Sequence, residues 1–472
     1  MNVDAVVVGG GIAGLVTALR LAEKGARPLV LEKGREDRYP CNTRVAGGAF
    51  HVAHRDVADD PQVIHDAIVR RTGDSARPDI IETLARDIGP ATQWLRSKGV
   101  RFMKVGHEPY RQHTLAPPIA THGVRYWEGR GGDVLLRTLL AELERCGGQL
   151  MRATHAERLT LVNGTCVGLR ATRDGQPLEI ATRAVVLCDG GFQSSQELLR
   201  EFITPAPERL MQRNARAGLG DGLRMAREAG AKLLGMDRFY GHVLAQEAMH
   251  VETLSPFPML DLTCSAGIVV DASGRRFMDE SLGGVTMANT MAAQADPLGA
   301  VAIFDEPIWN GPGREYLIPA NPTLINSGGK LFSAASLREL AALAGLPADM
   351  IEATVARYNE AVDSGRLGEL VPPRNGGGHR AWPIRTAPFH AVRLCVGITY
   401  TMGGIAIDTD ARVLNRDDKP IMGLYAAGCA TGGVEGGGTR PEVAYIGGLT
   451  RSTVFALRAA DHIMRARTTV AA

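Results

Sequence analysis

The sequence predicts an α/β protein, a Rossmann-like domain interrupted by a second, mixed α+β unit. Three observations predict it. An apolar strand, a glycine turn and a helix open the chain as Val6-Val7-Val8-Gly9-Gly10-Gly11-Ile12-Ala13-Gly14-Leu15, and a second strand, Pro28-Leu29-Val30-Leu31, closes on Glu32. A further strand-and-glycine pattern, Gly423-Leu424-Tyr425-Ala426-Ala427-Gly428-Cys429-Ala430, stands near the other end. From about Tyr240 to Phe389 the composition shifts to mixed α and β patterns broken by Pro and Gly. At 472 residues the chain is also too long for one compact core.

The opening block is the dinucleotide-binding fingerprint in full context, with both flanking strands and the acid present. Gly9 permits the tight turn, Gly11 lets backbone approach a pyrophosphate, and Gly14 lets the helix pack close to the strand. The helix start offers free N–H groups and partial positive charge to phosphates. Glu32 can accept hydrogen bonds from ribose hydroxyls, and an acid there argues against a 2′-phosphate. Further on, residues 133–147 carry a helical period of 3.6, and Leu159–Leu169 read as β structure turning at Asn163-Gly164. Ala184-Val185-Val186-Leu187 forms another strand, running into Cys188-Asp189-Gly190-Gly191-Phe192. Asp221 is placed to cap a helix that begins at Gly220-Asp221-Gly222. The tail after Arg465 is expected to fray.

Three blocks carry a resemblance to a known family. They are the opening fingerprint with Lys33-Gly34, the segment Cys41-Asn42-Thr43-Arg44-Val45-Ala46-Gly47-Gly48-Ala49-Phe50, and Gly423–Ala430 followed by Gly447-Gly448-Leu449-Thr450. Together they resemble the FAD-binding flavoproteins that include fumarate reductases, succinate dehydrogenases, aspartate oxidase, 3-ketosteroid dehydrogenases and tricarballylate dehydrogenase. The resemblance spans nearly the whole chain. It implies an FAD-binding domain in two parts, 1–239 and 391–472, with a capping domain over 240–390. It implies FAD contacts at Gly9, Gly11, Ala13, Gly14, Glu32, Lys33, Thr43, Gly47, Gly48, Ala156, Gly190, Asp221, Gly428, Cys429, Gly448 and Leu449. The second block would run along the pyrophosphate and flavin, and the last helix would point its N-terminus at the flavin's O2 side. A reduced flavin is anionic there, so the helix end suits it. Residues 41–44 hold no His, which leaves a covalent flavin unsupported and implies a non-covalent one.

The sequence departs from the fumarate reductases where their catalysis resides. Tyr400 stands before Thr401-Met402-Gly403-Gly404 where they have His, and Tyr445 stands before Ile446-Gly447-Gly448 where they have Arg. Glu280, closing Gly274-Arg275-Arg276-Phe277-Met278-Asp279-Glu280, is followed by Ser281-Leu282-Gly283-Gly284 with no Arg. An acid and an Arg that relay protons in that branch are read as having no counterpart near Leu260 and Thr263. Fumarate reduction is therefore not expected. Tyr400 resembles the ketosteroid dehydrogenase arrangement, and Phe239-Tyr240-Gly241-His242-Val243 and Gly432–Arg440 resemble the tricarballylate dehydrogenase-like branch.

The chemistry requires an acid or base for an α-proton and a grip on a carbonyl or carboxylate. Tyr400, His242 and Tyr445 are the proton candidates, and Arg440, with Arg111 and His113 behind it, the carboxylate candidate. Tyr400 would need positive charge or a relay to act as a base, whereas His242 would not. Each has a structural alternative: His242 a hydrogen-bonded core histidine, Tyr400 a residue closing the cleft, Arg440 a solvated side chain in a glycine loop. The expected activity is hydride exchange between flavin and a C–C bond next to a carboxylate or carbonyl. An oxidase of C–N bonds and a non-catalytic flavoprotein stay open beside it. The electron partner is not readable.

Composition excludes several classes. A net charge of +2 argues against nucleic-acid binding. The seven cysteines form no CxxC or cluster spacing, so no iron–sulfur, haem or metal site is expected, and scattered thiols point to a reducing cytoplasm. No apolar run reaches the ~20 residues of a membrane span. The first strand starts so early that no signal peptide is expected.

Overall fold

The computed structural model describes residues 3–73, 76–119, 126–251, 257–315, 318–376, 378–436 and 442–470, the last three as backbone only. A six-stranded sheet forms the base, in the spatial order Arg412–Leu414, Pro420–Ala426, Val185–Leu187, Ala5–Val8, Pro28–Leu31, Gln149–Met151. All its pairings are parallel except that of the first-named edge strand. This is the doubly wound order, with the chain's first strand at the centre. The central strands Ala5–Val8, Pro28–Leu31 and Val185–Leu187 are buried throughout, as a sheet covered on both faces requires. Helix Ile12–Glu23 packs against helix Gly131–Arg145 and against the last helix, Gly448–Val470. That last helix runs on to Val470, past Arg465, where the sequence predicts fraying.

A three-stranded antiparallel meander, Thr154–Val162, Thr165–Arg173 and Gln176–Ala181, sits beside the main sheet. It turns at Asn163 (φ 49°) and Gly164 (φ 77°), the two positive φ values a tight two-residue hairpin demands. The second large sheet gathers Leu210–Gln212, Phe239–Ala245, Ile268–Val270, Val301–Asp305 and Phe332–Ala334 around the long strand Phe389–Thr401. It takes strands from both sides of the expected joints at 239 and 391. The Phe389 end of the long strand pairs with Val301–Asp305, and its Thr401 end with Phe239–Ala245. Among the described residues no helix is long and apolar enough to cross a membrane.

Candidate active site

The parallel strands end at a cleft, the place where an open α/β sheet of this order binds its ligand. Its wall brings together Gly9, Gly11, Ala13, Glu32, Lys33, Thr43, Ala156, Gly190, Asp221, Gly428 and Cys429. Gly9 has φ +101°, and a Cβ there would lie 2.6 Å from the Cys188 carbonyl oxygen, so only glycine fits this turn. A Cβ on Gly14 would lie 1.9 Å from the Gly9 oxygen, which is the close helix–turn packing the sequence predicts. Gly11 precedes the helix in extended conformation, and a Cβ there would meet only Thr43 Oγ1, at 3.5 Å. The Ile12 N–H donates to that same hydroxyl (3.1 Å). Gly14, Gly47, Gly48, Gly448 and Leu449 do not line the cleft. Gly14 faces the turn, and Gly48 packs against Leu115.

Glu32 is buried and already oriented, accepting from the Gly10 and Gly34 N–H groups at 2.8 Å each. Burial pushes its carboxyl up against the pull of those two amides. Asp221 opens its helix without capping it; Gly220, left-handed at φ 77°, is the cap residue. The expected cap is thus corrected: the Asp221 carboxylate turns instead to Lys33 (3.0 Å) and His155 (3.3 Å). The Gly222 N–H goes to Asp189 Oδ2 (2.8 Å). Asp189 Oδ1, at the same wall, is buried without a hydrogen-bond partner. An open glycine at a helix start, an acid fixed by two amides and a buried polar atom lacking a partner fit a ligand with phosphate and adenosine groups.

Cys429 leads from this cleft into an aromatic cluster. Tyr400, Met402 and Val443 pack with Tyr240, Val285, Cys429 and Tyr445, apart from the main core. A Cβ on Gly448, the first residue of the last helix, would lie 3.5 Å from the Tyr400 ring and 3.6 Å from Cys429 Sγ. Tyr240 stacks on Tyr445 with centroids 4.1 Å apart and stands 5.5 Å from Tyr400. His51 and His54 flank Tyr445 at 5.3 and 5.8 Å, with Tyr110 beyond them. Burial holds both imidazoles neutral, pushing His51 down to about 3, with His54 and then Arg71 adding to it, and His54 to about 4, with Arg71 adding to it.

Two hydrogen-bonded chains enter the cluster. The Tyr400 hydroxyl donates to the Glu435 carboxylate (3.0 and 3.1 Å). Glu435 also accepts from the Ile446 (2.9 Å) and Gly447 (2.8 Å) N–H groups and faces the fully buried Arg451 at 3.3 Å. Burial, then the Glu435 charge, holds the Tyr400 phenol well above its usual range. In the second chain His242 Nδ1 meets Asp261 Oδ2 at 2.5 Å, and Nε2 meets the Tyr240 hydroxyl at 3.0 Å. Asp261 Oδ1 accepts from the Val243 N–H (2.9 Å). The absence of an acid near Leu260 and Thr263 is therefore corrected: Asp261 stands between them, on helix Asp261–Ala266, and pairs with His242 across to strand Phe239–Ala245.

Tyr400, Tyr445 and His242 thus come together. Arg440 lies outside the described residues. His113 is engaged by Asp56 at 2.7 Å, and Arg111 lies on a short 3-10 turn. Tyr240, Asp261, Glu435, Arg451 and Asp189 were not singled out by the sequence. The only signal for Tyr240 was its place two residues before His242, on the same face of a strand.

A parallel sheet whose glycine turn, helix start and acid share one cleft defines a dinucleotide-binding protein, and the chain belongs to the FAD binding domain family, matched over residues 4–440. FAD is its cofactor. It is similar to an NADH:fumarate oxidoreductase of Klebsiella pneumoniae, 26% identical over 92% of this chain and 45% of that one. It is similar to a vinyl phenol reductase of Lactiplantibacillus plantarum, 26% identical over 92% of this chain and 90% of that one. The chain thus spans less than half the length of the first relative. Its fold matches a 3-ketosteroid-Δ4-(5α)-dehydrogenase of Rhodococcus jostii with TM-score 0.72 at 22% identity, covering 98% of this chain and 96% of that one.

Proposed function

We propose that this chain is an FAD-dependent oxidoreductase that forms or removes a C=C bond next to a carbonyl or carboxylate of a small substrate. The observation that carries it is the meeting of Tyr400 and Tyr445, from distant segments, at the start of the last helix beside Cys429 of the cofactor cleft. Bound non-covalently, FAD supplies the acceptance or donation of a hydride. Gly11 and the first helix start would hold the pyrophosphate, Glu32 the adenosine ribose, and Cys429, beside the start of the last helix, the polar edge of the flavin. Tyr445 and Tyr240, stacked flat, offer a planar apolar wall for the substrate. Tyr400, its proton directed to Glu435, orients and closes the cleft, and Arg440 is proposed to meet a substrate carboxylate. The neutral His51 and His54 keep that wall uncharged. The mixed unit over 240–390, with the strands completing its sheet, is proposed as the cap. All seven cysteines are unpaired thiols, which supports a reducing, cytoplasmic setting.

The test is anaerobic mixing of the dithionite-reduced, FAD-loaded protein with acrylate, fumarate, urocanate and 4-vinylphenol, and of the oxidised protein with 4-androstene-3,17-dione. Flavin absorbance is followed and products identified. At least one compound should move the flavin and emerge as the alkane or the alkene. A flavin that none of them moves overturns the proposal.

A further inference from the structure

We propose that Tyr240 is the group that exchanges the substrate's α-proton, with His242 and Asp261 as its positioning relay; this rests on the activity proposed above. The hydrogen-bond roles fix the direction of the relay. Asp261 accepts from the Val243 N–H through Oδ1, so Oδ2 is aimed at His242 Nδ1. A carboxylate only accepts, so the neutral imidazole, which burial favours, keeps its proton on Nδ1 and leaves Nε2 as an acceptor. The Tyr240 hydroxyl, 3.0 Å from Nε2, therefore donates to it. Asp261 and His242 are 4% and 2% exposed, whereas Tyr240 is half-buried and stacked on Tyr445, so of these three Tyr240 is the one that reaches into the aromatic cluster.

Tyr400 lacks this arrangement. Its hydroxyl faces a carboxylate whose oxygens also hold Arg451 and two backbone amides. Burial pushes the Tyr240 phenol up to about 12, and the Arg213 charge draws against that rise.

In dehydrogenation the α C–H bond breaks and its proton passes to Tyr240 Oη. The Oη–H bond breaks in concert and that proton passes to His242 Nε2, leaving an imidazolium beside the Asp261 carboxylate. The electron pair freed at the α-carbon becomes the new π bond as the neighbouring carbon's hydride leaves to FAD, which is reduced. Reduction of an alkene is the reverse and starts from the imidazolium.

The test uses the FAD-loaded full chain and the variants Tyr240→Phe, His242→Gln, Asp261→Asn and Tyr400→Phe. A proton NMR spectrum should show a strongly downfield Nδ1–H line in the parent and in Tyr240→Phe, absent from His242→Gln and Asp261→Asn. With the fastest compound of the panel above, Tyr240→Phe should slow flavin turnover on the order of 10²–10⁴-fold, with flavin retained, and Tyr400→Phe by less. A parent without the downfield line overturns the relay. So does an active parent whose Tyr240→Phe variant keeps its rate, or loses less than Tyr400→Phe. A parent inert to every compound overturns the activity itself, and the relay with it.

Discussion

Replacing Glu435 by Gln would remove the carboxylate that faces Arg451 in a pocket where both side chains are fully buried. The amide oxygen can still accept from the Ile446 and Gly447 N–H groups, which Glu435 engages at 2.9 and 2.8 Å. Its amide nitrogen then turns donors toward Arg451 and Tyr400, and the guanidinium is left as an uncompensated buried charge. Breaking a buried pair in this way costs about 3–5 kcal/mol. For 472 residues the unfolding entropy near the transition is ~1 kcal/mol/K, so the melting temperature should drop by about 3–5 °C. The assay is a thermal melt of the FAD-loaded protein by intrinsic fluorescence. Adding Arg451→Met removes the orphaned charge and should return the melt to within about 1 °C of the parent, since apolar replacement of a whole buried pair is often neutral. A single variant that melts with the parent, or a double variant that melts below the single, would refute the charge-pair account.

Gly11→Leu should yield a folded but colourless protein, because the side chain would fill the open approach at the helix start; full flavin at 450 nm after purification contradicts this. Asp189 is pushed up to about 6 by burial, against the Gly222 N–H and with the Asp221 charge adding to it. Its folded value lies above the unfolded one, so the native state holds the proton longer, and stability is lost as pH rises from about 4 to about 6. Asp189→Asn should therefore stabilise the apoprotein by ~3 kcal/mol at pH 8 and by nothing at pH 3, as read by urea unfolding; equal gains at both pH values would refute it. With Tyr at positions 400 and 445 in place of His and Arg, fumarate should be reduced far below the ~10 per second typical of enzymes, and a steady-state assay with reduced viologen would expose the error.

The cofactor cleft was legible because its parts are local. Gly9, Gly11, Gly14 and Glu32 belong to one strand–helix–strand unit whose spacing sets its geometry, and Asn163-Gly164 announces its hairpin by turn chemistry alone. The aromatic site was legible only in part. Tyr400, Tyr445 and His242 carry family spacing, but their partners come from elsewhere in the chain. Asp261 reaches His242 from a short helix 19 residues on, and Glu435 meets Arg451 from a glycine loop to the last helix. Neither pairing has a periodicity. Asp221 shows the converse failure: its position promised a cap, yet Lys33 and His155 compete for the carboxylate and win it.

The strand Phe389–Thr401 has a mechanical consequence. Thirteen residues in one extended run span about 43 Å. One end is bonded into the ladder with Val301–Asp305. The other ends two bonds from the cofactor cleft: Asn42 Nδ2 donates to the Thr399 oxygen (3.1 Å), and the Phe192 N–H to Thr401 Oγ1 (3.0 Å). Such a spar has no hinge at residue 390, because bending there would break ladder bonds on both flanks at once. Rocking of the large sheet against the nucleotide-binding sheet is thereby braced, and access to the tyrosine wall falls to the smaller pieces hung along the spar, such as helix Gly284–Ala292 beside Phe239–Ala245. Tyr400, one residue from its tip, moves only as far as the spar itself does.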